Sequence, residues 1–158
     1  MKAALSWSYS PYRQITGDKN QIYICRLEPS KTRVTVEWLR PDGFNGDFRV
    51  CWRIKGGFET AEVPVSATSY TIKGLSAAFD YEIYVTAGEL RSAVRLVRPS
   101  DVAGKVVNYL HPEDTAYAFS GRYLSSPSIV RCANGDLLAS MDVFGKFTPQ
   151  NLTLIYRS

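Results

Sequence analysis

The stretch that most constrains this chain runs from Thr68 to Gly88, TSYTIKGLSAAFDYEIYVTAG. Tyr70 and Ile72 alternate with Thr71 and Lys73, the period-two pattern of a half-buried strand. Gly74 breaks the pattern, Leu75 opens a corner, and the alternation resumes after SAAFD. Tyr81, Ile83 and Val85 then share one face, and Glu82, Tyr84 and Thr86 the other. A Leu at a corner and a Tyr opening the next strand are what a Greek-key sandwich uses to tie two sheets together. The residues upstream read as partner strands for this unit; those beyond about Arg98 read as something different.

Upstream, QIYICRL (21–27) reads as a first strand, EPSK (28–31) as a turn, and Thr32 to Arg40 as a second strand. In that second strand Val34, Val36 and Trp38 oppose Thr35, Glu37 and Leu39. PDGFNG (41–46) is a loop rich in residues that supply fixed or positive φ. Asp47 to Lys55 sets Phe48, Val50, Trp52 and Ile54 against Arg49, Cys51, Arg53 and Lys55, and its aromatics can supply much of a core. Gly56-Gly57 ends that strand. Glu59 to Val65 gives a short strand that Pro64 marks as an edge, and a strand around Arg91–Val97 closes the set. Short strands at this spacing, in a chain rich in Tyr, Trp, Val, Ile and Thr, predict an all-β immunoglobulin-like seven-stranded sandwich over residues 19–98. Residues 1–18 read as a lead-in packed through Trp7 and Tyr12, and 99–120 as a connector. Within the connector, Val106 to Leu110 is expected to form a short strand or turn.

Trp38, the Phe48-x-Val50-x-Trp52 pattern, and Leu75 followed by Tyr81-x-Ile83-x-Val85 together resemble the fibronectin type III domain. The resemblance implies a module that binds, spaces or positions other domains and carries no chemistry. The loop AGELRS lacks Arg-Gly-Asp, so integrin-type adhesion has no support.

Residues 121–158 change character. SIVRCA (128–133), Asn134-Gly135 and DLLASM (136–141) form the strongest short-range hairpin signal, since Asn-Gly is the preferred pair of a type I′ turn. NLTLIYR (151–157) reads as a third strand, giving a three-stranded β-meander. Pro127 before the apolar strand, Asn134-Gly135, Leu137-Leu138-Ala139 and the closing Ile155-Tyr156-Arg157-Ser158 resemble the opening blade of the sialidase-like (BNR/Asp-box) six-bladed β-propellers. That resemblance implies a parent glycoside hydrolase with an arginine clamp for a substrate carboxylate, a Tyr–Glu nucleophile pair and an Asp acid/base. The clamp arginine's place is taken by Ser125, leaving Arg122 as the substitute substrate-binding candidate, with Asp142 the second. The blade itself would be incomplete.

Elsewhere the residues read blandly. Glu113 and Asp114 are adjacent, too close to flank a glycosidic bond from opposite sides, and are expected to be solvated turn residues. His111, the single histidine, reads as an exposed loop residue without a second ligand at metal spacing. Cys25, Cys51 and Cys132 read as buried or half-buried free thiols in a reducing compartment, with a Cys25–Cys51 bridge as the alternative. Asn151-Leu152-Thr153 is a glycosylation acceptor only if the chain is secreted. The net charge of +4 is scattered, with no basic stripe for nucleic acid. No apolar run reaches the roughly 18 residues of a membrane span, and the N-terminal apolar patch is too short for a secretory leader. The expectation is a cytoplasmic chain without cofactor or metal, catalytic residues, nucleic acid or membrane partner. Its possible partners are a glycan, through the parent propeller, and a second copy, through the exposed strands of 121–158.

A lone blade cannot bury both of its faces. The meander is therefore expected to fold back on the sandwich or to pair with another chain. Three readings follow: a non-catalytic accessory module of a sialidase-like protein, the N-terminal part of an exo-sialidase-like hydrolase, or a free-standing protein-interaction sandwich.

Overall fold

The computed structural model describes residues 21–102, 106, 109–116, 123–144 and 152–158. The described elements are all strands: β1 (Tyr23–Ser30), β2 (Arg33–Leu39), β3 (Phe48–Ile54), β4 (Ala61–Val65), β5 (Ser69–Lys73), β6 (Tyr81–Ala87), β7 (Leu90–Arg91), β8 (Arg95–Val97), β9 (Tyr123–Arg131), β10 (Leu137–Phe144) and β11 (Leu152–Arg157). One sheet has the order β1-β2-β5. The second has the order β4-β3-β6-β7, with β8 pairing β6 beyond the end of β7.

The two sheets close on a core that the alternation anticipates. Val34, Val36, Trp38 and Ile72 come from one sheet, Phe48, Val50, Ile83, Val85 and Val97 from the other, and all are at most 2 % exposed. Trp38 meets Phe48 edge-on, with ring centroids 5.4 Å apart and planes at 70°, the arrangement aromatic quadrupoles favour. Trp52 packs half-buried against this cluster.

The opening stretch does what its pattern requires. Gly74 turns with φ +75, a left-handed conformation that favours glycine. Leu75 is buried and donates its N–H to Thr32 O at 2.9 Å, stitching the corner to the β1–β2 turn. The Tyr81 hydroxyl accepts from Ser76 N–H at 3.0 Å. The corner therefore joins the last strand of one sheet to the central strand of the other.

Several boundaries differ from the sequence reading. The first turn falls at Lys31-Thr32, because Glu28, Pro29 and Ser30 continue β1 opposite Thr35, Val34 and Arg33. Pro29 is tolerated there because β1 is an edge strand. β4, with Pro64, is also an edge strand. The closing strand is broken in two: Ser92 Oγ accepts Val85 N–H at 2.9 Å while Ser92 N–H donates to Val85 O at 2.8 Å. A buried serine thus stands in for a ladder partner and splits the strand into β7 and β8. Ile54, expected in the core, lies at the frayed end of β3 and is 43 % exposed.

Strands β9–β11 form a separate antiparallel sheet, order β11-β10-β9, so the expected meander is present. Its details are corrected in two places. The Asn134-Gly135 turn is not type I′, which needs positive φ at both residues. Only Gly135 has it (φ 93), and Gly135 N–H donates to Cys132 O at 3.0 Å. That is a type I turn followed by a left-handed glycine. Pro127 does not open the strand but sits inside β9, where the pairing shifts between Ser140↔Ser128 and Asp142↔Ser125. The adjoining Ser126 takes φ 51, so the proline is housed in a bulge.

The lead-in 1–18 with Trp7 and Tyr12, Arg122 and Asn151 lie outside the described residues. Cys25, Cys51 and Cys132 are all unbridged, as the thiol reading expects. Among the described residues no helix is long and apolar enough to cross a membrane.

Candidate functional site

Among the described residues, a polar cluster lies where the connector meets the end of the sandwich. It begins with Arg95 on β8, which faces inward like Val97 and is 2 % exposed. A guanidinium cannot stay in such a place unpaired. Its Nε donates to Asp114 Oδ2 at 2.6 Å, and its Nη1 to Ile24 O at 2.9 Å. The two side chains of this ion pair are 3 % and 1 % exposed.

The connector supplies Asp114 from a tight turn. His111-Pro112-Glu113-Asp114 closes through Asp114 N–H to His111 O at 2.9 Å, with proline at the second position where its fixed φ belongs. Asp114 Oδ1 accepts Ala116 N–H at 2.8 Å, and Oδ2 also lies 3.4 Å from Leu96 N. The reading of Asp114 as a solvated turn residue is thus overturned: it is the buried anion that Arg95 requires.

His111 is likewise not an exposed loop residue; it is 7 % exposed. Its Nδ1 accepts Glu113 N–H at 3.1 Å, which leaves the ring proton on Nε2 facing Asp80 Oδ1 at 3.2 Å. Asp80 also accepts from Arg98 Nε at 2.6 Å, and the Arg98 guanidinium chiefly, with His111 adding to it, holds the Asp80 carboxyl below the usual range. Glu113 forms an ion pair with Lys55, and that hydrogen bond pulls the Glu113 carboxyl down. Tyr109 N–H donates to Leu27 O at 2.9 Å. Tyr109 therefore docks on β1, while residues 107 and 108 of the expected strand or turn lie outside the described residues.

Chemically, this arrangement holds rather than reacts. Both ring nitrogens of His111 and both oxygens of Asp114 are engaged within the fold. Among the described residues, none of these groups faces a nucleophile that it could activate. Among the described residues no group of His, Cys, Asp and Glu side chains could hold a metal ion.

Two further polar places lie on the outer faces of the sandwich. On β3–β6, Cys51 is buried beneath Tyr84, over which the Arg91 guanidinium sits 3.9 Å from the ring centroid. Burial pushes the Cys51 thiol up, the opposite of what a nucleophilic cysteine needs. On β1-β2-β5, a cavity of about 210 Å³ is lined by Glu28, Ser30, Arg33, Thr35 and Thr71.

Of the sequence candidates, Asp142 lies on β10 and accepts Thr153 Oγ1 at 2.7 Å from β11. The structural signature, Trp38, Phe48, Val50, Trp52, Leu75, Tyr81, Ile83 and Val85, converges in one cluster. Sequence reasoning missed Arg95 and Asp114. The available signal was an arginine in phase with Val97 on a strand where an apolar residue was due.

Comparison with known sequence families agrees with the architecture of residues 23–97. The sequence profile described as fibronectin type III domain matches residues 23–97. Among solved structures, an FN3 domain of human collagen XX is 17% identical with a TM-score of 0.42, covering 56% of this chain and 97% of its own. The FN5 domain of Drosophila Lar is 21% identical with a TM-score of 0.42, covering 56% and 100%. A solution structure of the fn3 domain of the human collagen alpha-1(XX) chain is 18% identical with a TM-score of 0.43, covering 59% and 98%. No curated protein sequence matches the chain.

Proposed function

We propose that this chain, whose residues 23–97 are a fibronectin type III domain, is a non-catalytic positioning module that presents its C-terminal segment through a clasped connector. One observation carries this reading: the Arg95–Asp114 ion pair, buried on both sides and tied to β1 through Ile24 O. A connector meant only to tether would be solvated. Residues 109–116 of this one are held by turn chemistry, by His111–Asp80 and by Tyr109–Leu27. Three unbridged thiols suit a reducing compartment such as the cytoplasm.

Backbone ¹⁵N relaxation on the full chain tests the proposal. Residues 109–116 should show the same order parameters as β8, and Asp114→Leu should lower them selectively. Order parameters below about 0.6 in the wild-type connector, the range of flexible backbone, would refute it.

A finer reading makes residues 121–158 a blade-like unit of a carbohydrate-active, sialidase-like protein. It is supported by apolar side chains left uncovered on both faces of the sheet, Ile129 at 67 % and Ile155 at 71 % exposed, as a blade awaiting neighbours would have. Titration with sialylated oligosaccharides, followed by NMR, checks it. Shifts along the Ser125–Asp142–Thr153 row are expected, and an unperturbed spectrum counts against it.

A further inference from the structure

We propose that the outer face of β1-β2-β5 holds a site for a phosphate-monoester dianion, gripped between Arg33 and Lys73. The inference is independent of the connector and of the meander, and it starts from strand register. Arg33 pairs directly with Ser30 of β1 and Lys73 of β5, while Thr35 pairs with Glu28 and Thr71. The Thr35 and Thr71 hydroxyls meet at 2.9 Å on the outer face, and strand alternation puts Arg33 and Lys73 on that same face. Two cations therefore stand directly opposite each other, where like charges destabilise a sheet.

Among the described residues nothing neutralises them. Residues 29–36 and 66–79 contain no Asp or Glu, and Lys31 in the adjoining turn adds a third cation. Glu28, the carboxylate that lines the cavity on this face, is drawn off by Arg26 at 2.5 Å. Arg26 also holds Glu37, at 2.7 Å. The Arg33 side chain has one partner, Ser30 Oγ at 3.4 Å from its Nε, so its two terminal nitrogens meet no acceptor. Lys73 is exposed, and its ammonium forms no ion pair.

The groups left over are donors. Arg33 offers a planar fork that fits two phosphate oxygens, and Lys73 a point charge. Ser30 accepts from Arg33 and keeps its hydroxyl proton, and whichever of Thr35 and Thr71 accepts from the other keeps one as well. A phosphate monoester brings three strong acceptor oxygens and a charge of about −1.5 to −2 at neutral pH, which complements this set. The cavity, about 210 Å³ and lined by Glu28, Ser30, Arg33, Thr35 and Thr71, is smaller than the roughly 300–1,000 Å³ that enclose a drug-sized molecule. It takes the charged group and leaves the rest of the ligand outside, as a phosphorylated side chain would present it.

The test is an NMR titration of the intact 158-residue chain at low ionic strength, with N-acetyl-O-phosphoserine amide as the probe. Saturable shifts are expected at residues 28–35 and 71–74, and inorganic phosphate should compete for them. The O-sulfate analogue, with a single charge, should bind more weakly. Arg33→Gln should weaken binding by about tenfold or more, the loss of a charge-assisted hydrogen bond. Arg33→Lys should weaken it less, because the charge survives without the fork. Lys73→Gln should weaken it as well. Removing one of two opposed cations relieves their repulsion, so without probe both glutamine variants should unfold at the same temperature as wild type or higher. Residues kept for structure alone would lower it. No binding to wild type, non-saturating shifts spread over the arginines of β3 and β7, or a sulfate that binds as tightly as the phosphate would each overturn the proposal. So would glutamine variants that bind like wild type or unfold below it.

Discussion

Asp80 shows how much a single corner residue is asked to do. Its backbone carbonyl accepts Lys55 N–H at 2.8 Å, while its carboxylate holds Arg98 and His111. The cations lower its folded pKa. A depressed carboxylate stabilises the fold fully above its unfolded pKa, about 3.9, and loses that contribution as pH falls through the lower folded value. Urea unfolding of wild type and Asp80→Asn should therefore differ most at neutral pH and converge below about pH 4. A difference that stays constant from pH 7 to pH 3 would assign the effect to shape rather than charge. Asp80 lies beside Tyr81, whose role at the corner was legible because Leu75 and Tyr81 fall within one local pattern. The role of Asp80 was not legible, for its partners lie 18 and 31 residues away.

At the level of elements, period-two alternation revealed most of β1 to β6, because a strand's burial pattern is written in its own residues. What it could not reveal were departures that depend on a neighbour: the serine that splits β7 from β8, and the bulge that houses Pro127. The connector is the larger case. Arg95 and Asp114, 19 residues apart, each read as an ordinary charge until burial brings them together. Breaking a buried ion pair from one side leaves an uncompensated charge, at a cost of about 3–5 kcal/mol. Arg95→Met and Asp114→Leu should each destabilise the chain by roughly that amount. The double variant should cost less than the sum of the two singles by about 1–3 kcal/mol. Chemical denaturation of all four proteins checks this, and strict additivity would mean that the two side chains do not act as a pair.

For the whole molecule, the unit that folds extends beyond the residues carrying the family pattern. The profile ends at residue 97, yet the last strand's arginine finds its counter-ion at Asp114, and the free edge of β1 is capped by Arg95 and Tyr109. A polypeptide covering 19–98 keeps every strand of the sandwich but leaves Arg95 buried without an anion and the Leu27 carbonyl without its donor. One covering 19–116 keeps the clasp. The shorter should be less stable by about 3–5 kcal/mol, the range for a buried ion pair broken from one side. With a urea dependence of about 1–3 kcal/mol/M, that is a midpoint lower by about 1–5 M. It should also associate more readily, since β1 without its Tyr109 cap presents a fresh stretch of edge. Equal midpoints would reduce the connector to a passive link and remove the physical basis for a positioning role. A large deficit that 19–116 repairs would place the functional boundary at the clasp rather than at the end of the sandwich.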